Sequence, residues 1–327
     1  MKLRAIYDLA VEMGKHYDVR GSQVQRVLED KKKKYEKLPE EEKAAFDVES
    51  LGNPFSDSRI LVGSGEEEIN SLFVGIDIET PEILLADRLR ERGQAIDLVL
   101  AHHPEGLAQA AMHEVMHLQA DLLENAGVPI NVAESIMASR ISEVRRGLMP
   151  LNHQRAVDAA RLLGLPFMCL HTPADNLVNY FLQDLLDSRA CTTLADVMEL
   201  LQTLPEYQRA RELKAGPYLL MGNRSRRPGR ILVKMTGGTS GPERAFEKMA
   251  QAGVGTYICM HLPDKQRQAA RDHHVNVIIA GHMASDSLGM NLFLDHVEDR
   301  GVRIIPGSGL IRIRREKGLD LPPELNN

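Results

Sequence analysis

Three stretches of the chain bring imidazole and carboxylate groups to the ends of apolar runs. The first is Ala101-His102-His103-Pro104-Glu105-Gly106, which closes the run over 95–100. Two adjacent imidazoles are costly to bury without partners, and at the mouth of an α/β sheet they stand where ligands bind. Neighbouring strand residues point to opposite faces, so two metal ions suit this pair better than one. The second stretch is His171-Thr172-Pro173-Ala174-Asp175, after the run 165–170. The third is Gly281-His282-Met283-Ala284-Ser285-Asp286, after 275–280. The i, i+4 spacing of His282 and Asp286 puts both on one face of a helix or its first turn, where the pair suits one metal ion. Each stretch alone has a plainer account. Asp175 fits a helix N-cap, Asp286 fits an acid favoured by a helix dipole, and His171 fits a polar strand end. Together His102, His103, Asp175, His282 and Asp286 offer nitrogen and oxygen donors without cysteine, a set that suits zinc, iron or manganese. Five ligands are too many for one tetrahedral catalytic zinc. They suit two divalent ions about 3.5–4 Å apart with a bridging water. His171 is the candidate for proton transfer.

Two other motifs compete for attention. His113-Glu114-Val115-Met116-His117 fits H-E-x-x-H, the zinc-protease signature. On a helix over about 107–126 the apolar stripe is Leu107, Ala111, Val115, Leu118 and Leu122, and His113 and His117 fall on the far side from it. The metzincin continuation is absent, and a metalloprotease is the third reading of the chain. Thr236-Gly237-Gly238-Thr239-Ser240-Gly241 follows a strand-like run and precedes Pro242. Its backbone N–H groups could cradle an anion, and a tight strand-to-helix turn accounts for it equally well. Lys31-Lys32-Lys33-Lys34 reads as a solvated face, and Arg224, Arg226, Arg227 and Arg230 as a basic loop.

The whole chain bounds what can position these groups. Its 327 residues suffice for about two domains. Hydrophobic residues at 43% and charged residues at 26% give an ordinary globular balance. A net charge of −6 argues against general nucleic-acid binding, and the lack of Trp, with seven Tyr and seven Phe, argues against base-stacking platforms. Cys169, Cys191 and Cys259 are scattered, as expected of reduced thiols in a cytoplasmic protein. The N-terminus has no signal-peptide pattern, and no apolar run reaches about 18 residues, so no membrane span is expected.

Alternating strand and helix patterns predict an α/β fold. Residues 1–54 read as an N-terminal helical extension and 55–189 as a first α/β lobe, opening with a hairpin around Gly63-Ser64-Gly65. A short strand is expected at 128–132. Residues 190–228 read as a helical insert or linker, and 229–327 as a second α/β lobe.

Four of these segments, in the same order, resemble motifs of the NIF-three-like dinuclear-metal family, also described as type 2 GTP cyclohydrolase I. Asp97-Leu98-Val99-Leu100-Ala101-His102-His103-Pro104 resembles its double-histidine-proline motif, and His171-Thr172-Pro173-Ala174-Asp175 its H-T-x-x-D. Gly237-Gly238-Thr239-Ser240-Gly241 resembles its glycine-rich turn, and Gly281-His282-Met283-Ala284-Ser285-Asp286 its G-H-x-x-[ST]-E. The resemblance covers about 55–187 and 229–310. It implies metal ligands at His102, His103, Asp175, His282 and Asp286, and two α/β lobes with the metal site between them. It also implies a homo-oligomer in the form of a hexameric ring, and a small-molecule substrate, a nucleotide. The function implied is a metal-dependent hydrolase with a dinuclear metal site that opens a purine nucleotide ring. The alternative is a non-catalytic metal-binding protein that acts through protein interaction or regulation. One departure stands out: Asp286 is one methylene shorter than the family's usual glutamate, which puts full occupancy of two metal sites at issue.

Overall fold

A computed structural model describes residues 1–322 and Leu325. Nine strands are present among them: β1 (Arg59–Val62), β2 (Ser71–Gly75), β3 (Leu98–Ala101), β4 (Phe167–Cys169), β5 (Tyr218–Met221), β6 (Arg230–Lys234), β7 (Val254–Cys259), β8 (Asn276–Ile279) and β9 (Arg303–Pro306). They form two sheets, ordered β1-β4-β3-β2-β9 and β5-β8-β7-β6. β1 and β5 run antiparallel to their neighbours, and the other pairs are parallel. The strands β2, β3, β4 and β8 are buried at every residue, which is why, apart from Ser71 and Asn276 at the starts of β2 and β8, they read as continuous runs without polar alternation. The two sheets repeat one plan, an antiparallel first strand beside the fourth, then the third, then the second. β9 then returns the chain to the first lobe.

The helices Thr172–Asp187 and His282–Asp299 follow β4 and β8 and pack on one another between the sheets. Gly289 permits the close approach, since a Cβ there would collide with the carbonyl oxygen of Ala174. Helix His282–Asp299 is buried almost all round, and one apolar cluster joins its Leu288, Leu292 and Phe293 to residues of both sheets. In the N-terminal extension, Leu3, Ile6, Leu9, Ala10 and Met13 of helix Leu3–His16 are buried, as their spacing predicts. That helix packs against Thr172–Asp187. The next one, Gln23–Glu36, buries only Val24 and Leu28.

Several local expectations are corrected. No hairpin forms around Gly63: β1 pairs with β4, and β2 pairs with β3 and β9. Residues 63–70 instead hold the start of the first helix, whose Leu3 and Arg4 amides donate to the Glu67 and Gly65 carbonyls. The strand expected at 128–132 is replaced by helix Ile130–Leu148, which Pro129 (φ −56°) starts. The 190–228 stretch is more than an insert or linker. It supplies helices Leu194–Leu201 and Pro205–Glu212 and then β5, a strand of the second sheet.

Side-chain contacts tie the lobes together along the free edge of β6. On helix Thr172–Asp187, Asn176, Asn179 and Gln183 lie on one face. Gln183 accepts from the Val233 amide at 3.0 Å and donates to the Ile231 carbonyl at 3.4 Å. Asn179 accepts from the Met235 amide at 2.8 Å, and Asn176 from the Thr236 hydroxyl at 2.6 Å. At the other end of the chain, residues 307–322 run back over helix His282–Asp299. Arg312 pairs with Asp295 and Glu298 at 2.6 and 2.7 Å, and Arg315 grips both oxygens of the fully buried Glu206. Among the described residues no helix is long and apolar enough to cross a membrane.

Candidate metal centre

The carboxyl ends of the parallel strands in both sheets converge on one point between the lobes. β3 delivers His102 and His103, β4 and its helix deliver His171 and Asp175, and β8 and its helix deliver His282 and Asp286. Ligand atoms of His102, Asp175 and Asp286 lie within 4.8 Å of one another, and so do those of His103, His282 and Asp286. Asp286 is common to both groups and turns a different oxygen to each. Its Oδ1 stands 3.5 Å from His102 Nε2, and its Oδ2 stands 3.4 Å from both His103 Nε2 and His282 Nε2. Asp175 Oδ1 is 3.5 Å from His102 Nε2. A third group of three, His102, His103 and His171, meets the same criterion.

The donor atoms fit cations. His102 Nε2, Asp175 Oδ1 and both carboxylate oxygens of Asp286 are buried without a hydrogen-bond partner among the described residues. Buried polar atoms are normally satisfied, so a cluster of orphans with ligand chemistry points to a missing positive centre. The outer nitrogens are already occupied. His102 donates from Nδ1 to the Leu170 carbonyl at 3.0 Å, His103 from Nδ1 to Asp77 at 2.6 Å, and His171 from Nδ1 to Asp57 at 2.7 Å. Such partners fix the tautomer and leave Nε2 directed at the centre. Asp57 is fully buried and also accepts from the Thr172 hydroxyl at 2.6 Å.

In the chain without metal, His102 and His103 favour their protonated forms, while burial lowers the pKa of His282. Burial opposes charging of His102, but Asp286 and Asp175 outweigh it and raise its pKa to about 10. Burial likewise opposes His103, while Asp286 and Asp77 raise it to about 9. Burial works against the Asp286 carboxylate too, yet His102, His103 and His282 hold it well below the usual carboxylate range. Both histidine pKa values rise above the unfolded value of about 6.5. Their contribution to metal-free stability is therefore complete below about pH 6.5 and is lost as pH rises through 9–10. The Asp286 contribution has the opposite sense: it is present above about pH 4 and lost as pH falls. Because metal must displace the histidine protons, zinc binding near pH 7.5 is expected to release about two protons per chain. Calorimetric zinc titrations in two buffers of different ionisation enthalpy read this directly, and equal heats in both would contradict it.

Four nearby residues went unread in the sequence. Asp57 and Asp77 hold His171 and His103. Burial pushes the Lys234 ammonium down to about 8, against the pull of Asp175. At the rim, the His261 ring lies 5.0 Å from that of His282, and burial with the neighbouring charges of His282 and Lys234 lowers its pKa to about 4. His261 occupies in the second lobe the place of His103 in the first. Ala101 pairs with Cys169 as Cys259 pairs with Ile279, and each histidine follows its strand by two residues. All four sit at the same edge of the sheets as the residues that were found.

The competing motifs fare differently. The expected helix over 107–126 is broken into Gly106–Ala111, a 3₁₀ stretch Met112–His117, and Leu118–Asn125. At about 120° per residue, His113 and His117 point about 120° apart, so the H-E-x-x-H pair does not converge. Neither belongs to any ligand-forming group among the described residues. The phase change also leaves Leu107 of the expected stripe 53% exposed. Arg230 donates to the carbonyls of Asn125 and Ala126, and Arg224 approaches Glu199, both away from the centre.

No protein-family profile and no curated protein matches the sequence. Among solved structures, a NIF3 superfamily protein from Sphaerobacter thermophilus is 25% identical with a TM-score of 0.72, covering 95% of this chain and 99% of its own. Reduced HcgD from Methanocaldococcus jannaschii is a weaker likeness at 14% identity and a TM-score of 0.49, covering 81% of this chain and 94% of its own.

Proposed function

We infer that this NIF3-like chain is a metal-dependent hydrolase with a dinuclear centre, bound by His102, Asp175 and Asp286 on one side and His103, His282 and Asp286 on the other. The observation that carries the reading is Asp286, whose two unpartnered oxygens face two separate ligand sets. Two divalent ions, zinc, iron or manganese, would polarise a substrate oxygen and bring a bound water near neutral pKa. The chain itself does the positioning. Leu170 and Asp77 hold the His102 and His103 rings, so the ligand set is arranged before anything binds. Asp57 holds His171 by Nδ1, which leaves Nε2, 3.7 Å from Asp175 Oδ2, to take or give a proton at the substrate. The resemblance of the four motifs supports a purine nucleotide whose ring is opened by water, and a cytoplasmic homo-oligomeric ring as the working form.

A second reading is favoured by one feature. The cavity beside the centre has a volume of only about 40 Å³, room for a few waters. A non-catalytic metal-binding protein that acts through a partner needs no more than that. The test is turnover of GTP and other purine nucleotides by metal-loaded protein, followed by loss of the purine absorbance. His103→Ala is expected to abolish it. His171→Gln is expected to lower it about 10²–10⁴-fold with metal content retained. An inactive wild type with full metal and intact assembly, over a broad nucleotide panel, would move the conclusion to the binding protein.

A further inference from the structure

The wall of that cavity on the second lobe is built from Lys234, at the end of β6, and the turn Gly238-Thr239-Ser240, facing His171, Asp175 and His282 across it. The polarity of the turn is sorted. The carbonyls of Gly237, Thr239, Ser240 and Gly241 are engaged by side chains: Gln119 donates to those of Gly237 and Thr239, Arg140 to that of Ser240, Gln266 to that of Gly241, and Lys234 to that of Thr239. Gln119 comes from helix Leu118–Asn125 in the first lobe and is only 4% exposed. It reaches the turn because Gly237, at φ +92°, has no Cβ; one there would stand 2.6 Å from Gln119 Cγ. The N–H groups of residues 236–241, by contrast, have no acceptor among the described residues. Lys234 spends one donor on Thr239 at 3.0 Å and has no carboxylate within ion-pair distance among the described residues.

Successive free amides beside an ammonium group are an anion-binding arrangement. The cavity volume of about 40 Å³ corresponds to three or so waters, the size of one oxyanion and far less than a purine. We propose that Lys234 and the amides of Gly238, Thr239 and Ser240 form an oxyanion subsite, which takes a phosphate or carboxylate group of the ligand while the rest of the ligand lies outside the cavity. The subsite deepens the hydrolase reading and rests on it only in calling that ligand a substrate.

The test uses inorganic phosphate and the full chain held metal-free by chelator, so that neither turnover nor metal coordination enters the readout. Phosphorus NMR titration is expected to show saturable binding to wild type and binding about tenfold or more weaker in Lys234→Met. Gly238→Ala, which strains the turn at φ +78° and leaves the ammonium in place, is expected to weaken it as well, and it stands in if Lys234→Met fails to fold. Zinc reloading to the wild-type level in each variant shows that the metal centre is intact. Acetate that competes with phosphate extends the subsite to carboxylates, and acetate that does not compete assigns it to tetrahedral oxyanions. No phosphate binding by metal-free wild type, or unchanged affinity in Lys234→Met and Gly238→Ala, would overturn the proposal. Phosphate binding without nucleotide turnover would leave the subsite standing and sink the hydrolase; turnover without phosphate binding would do the reverse.

Discussion

Asp286→Ala is expected to take the protein from about two bound metal ions to almost none. Its carboxylate is 1% exposed, and each oxygen faces a different ligand set, so a single truncation removes one donor from both. What remains is two donors in each set, His102 with Asp175 in one and His103 with His282 in the other. Two protein ligands are fewer than the three by which catalytic zinc sites hold their ion. His282→Ala removes a donor from one set only and is expected to leave about one ion, and His113→Ala is expected to leave both. Metal counting by mass spectrometry on untagged protein, followed by thermal melts with and without chelator, distinguishes these outcomes. One full equivalent retained in Asp286→Ala would show that the two sets are independent. Loss of metal in His113→Ala alone would return attention to H-E-x-x-H.

Arg315→Ala is expected to cost about 3–5 kcal/mol, because it strands a carboxylate that is fully buried. Glu206 would keep only the amide of Asn291, at 2.8 Å. For a chain of this size the loss corresponds to a melting-point drop of roughly 5–15 °C. The control is the double change Glu206→Met with Arg315→Met, which removes both charges and is expected to recover most of the loss. A drop equal to that of an exposed ion-pair variant, within about 1 °C, would mean that the pair is hydrated and contributes little. The effect also bears on the centre. The 307–322 segment is clamped along the helix that carries His282 and Asp286, so its release is expected to weaken metal binding as well as folding.

The site was legible because ligands of α/β sheets gather at the carboxyl ends of parallel strands. His102, His103, Asp175, His282 and Asp286 each follow an apolar run, and chemistry-bearing residues after such runs are conspicuous. The residues that escaped follow the same rule in disguise. Asp57 precedes its strand, but β1 is antiparallel, and the start of an antiparallel strand lies at the carboxyl edge of its neighbours. Asp77 stands between Ile76 and Ile78 and passes for part of a strand, whereas β2 stops at Gly75. Lys234 stands inside its strand run and carries no mark of its own, whereas His261 follows the apolar run 254–260 and carries the same signal as His103. The fold class followed from alternation of strands and helices, but pairing partners did not. Only non-local contacts decide that β1 lies beside β4 and that β9 returns to β2. β5 was lost because Tyr218-Leu219-Leu220-Met221 is a half-exposed edge strand with no alternation. The 3₁₀ break at Met112 leaves no compositional mark, and apolar spacing alone cannot report it.

The ladder of Asn176, Asn179 and Gln183 along β6 bears on how anything enters the centre. Asp175 is the neighbour of Asn176, and the helix that carries it is pinned to the opposite lobe at four points. Swinging the lobes apart would break those bonds together and expose the strand edge they cover, at a net cost of about 1 kcal/mol for each bond and more for each group left buried. Hinge opening of the lobes is therefore costly. Entry is expected instead by local displacement at the rim around His261, while the five candidate ligand positions keep their spacing. Exchange of backbone amides should show the pinned edge as strong protection at Val233 and Met235.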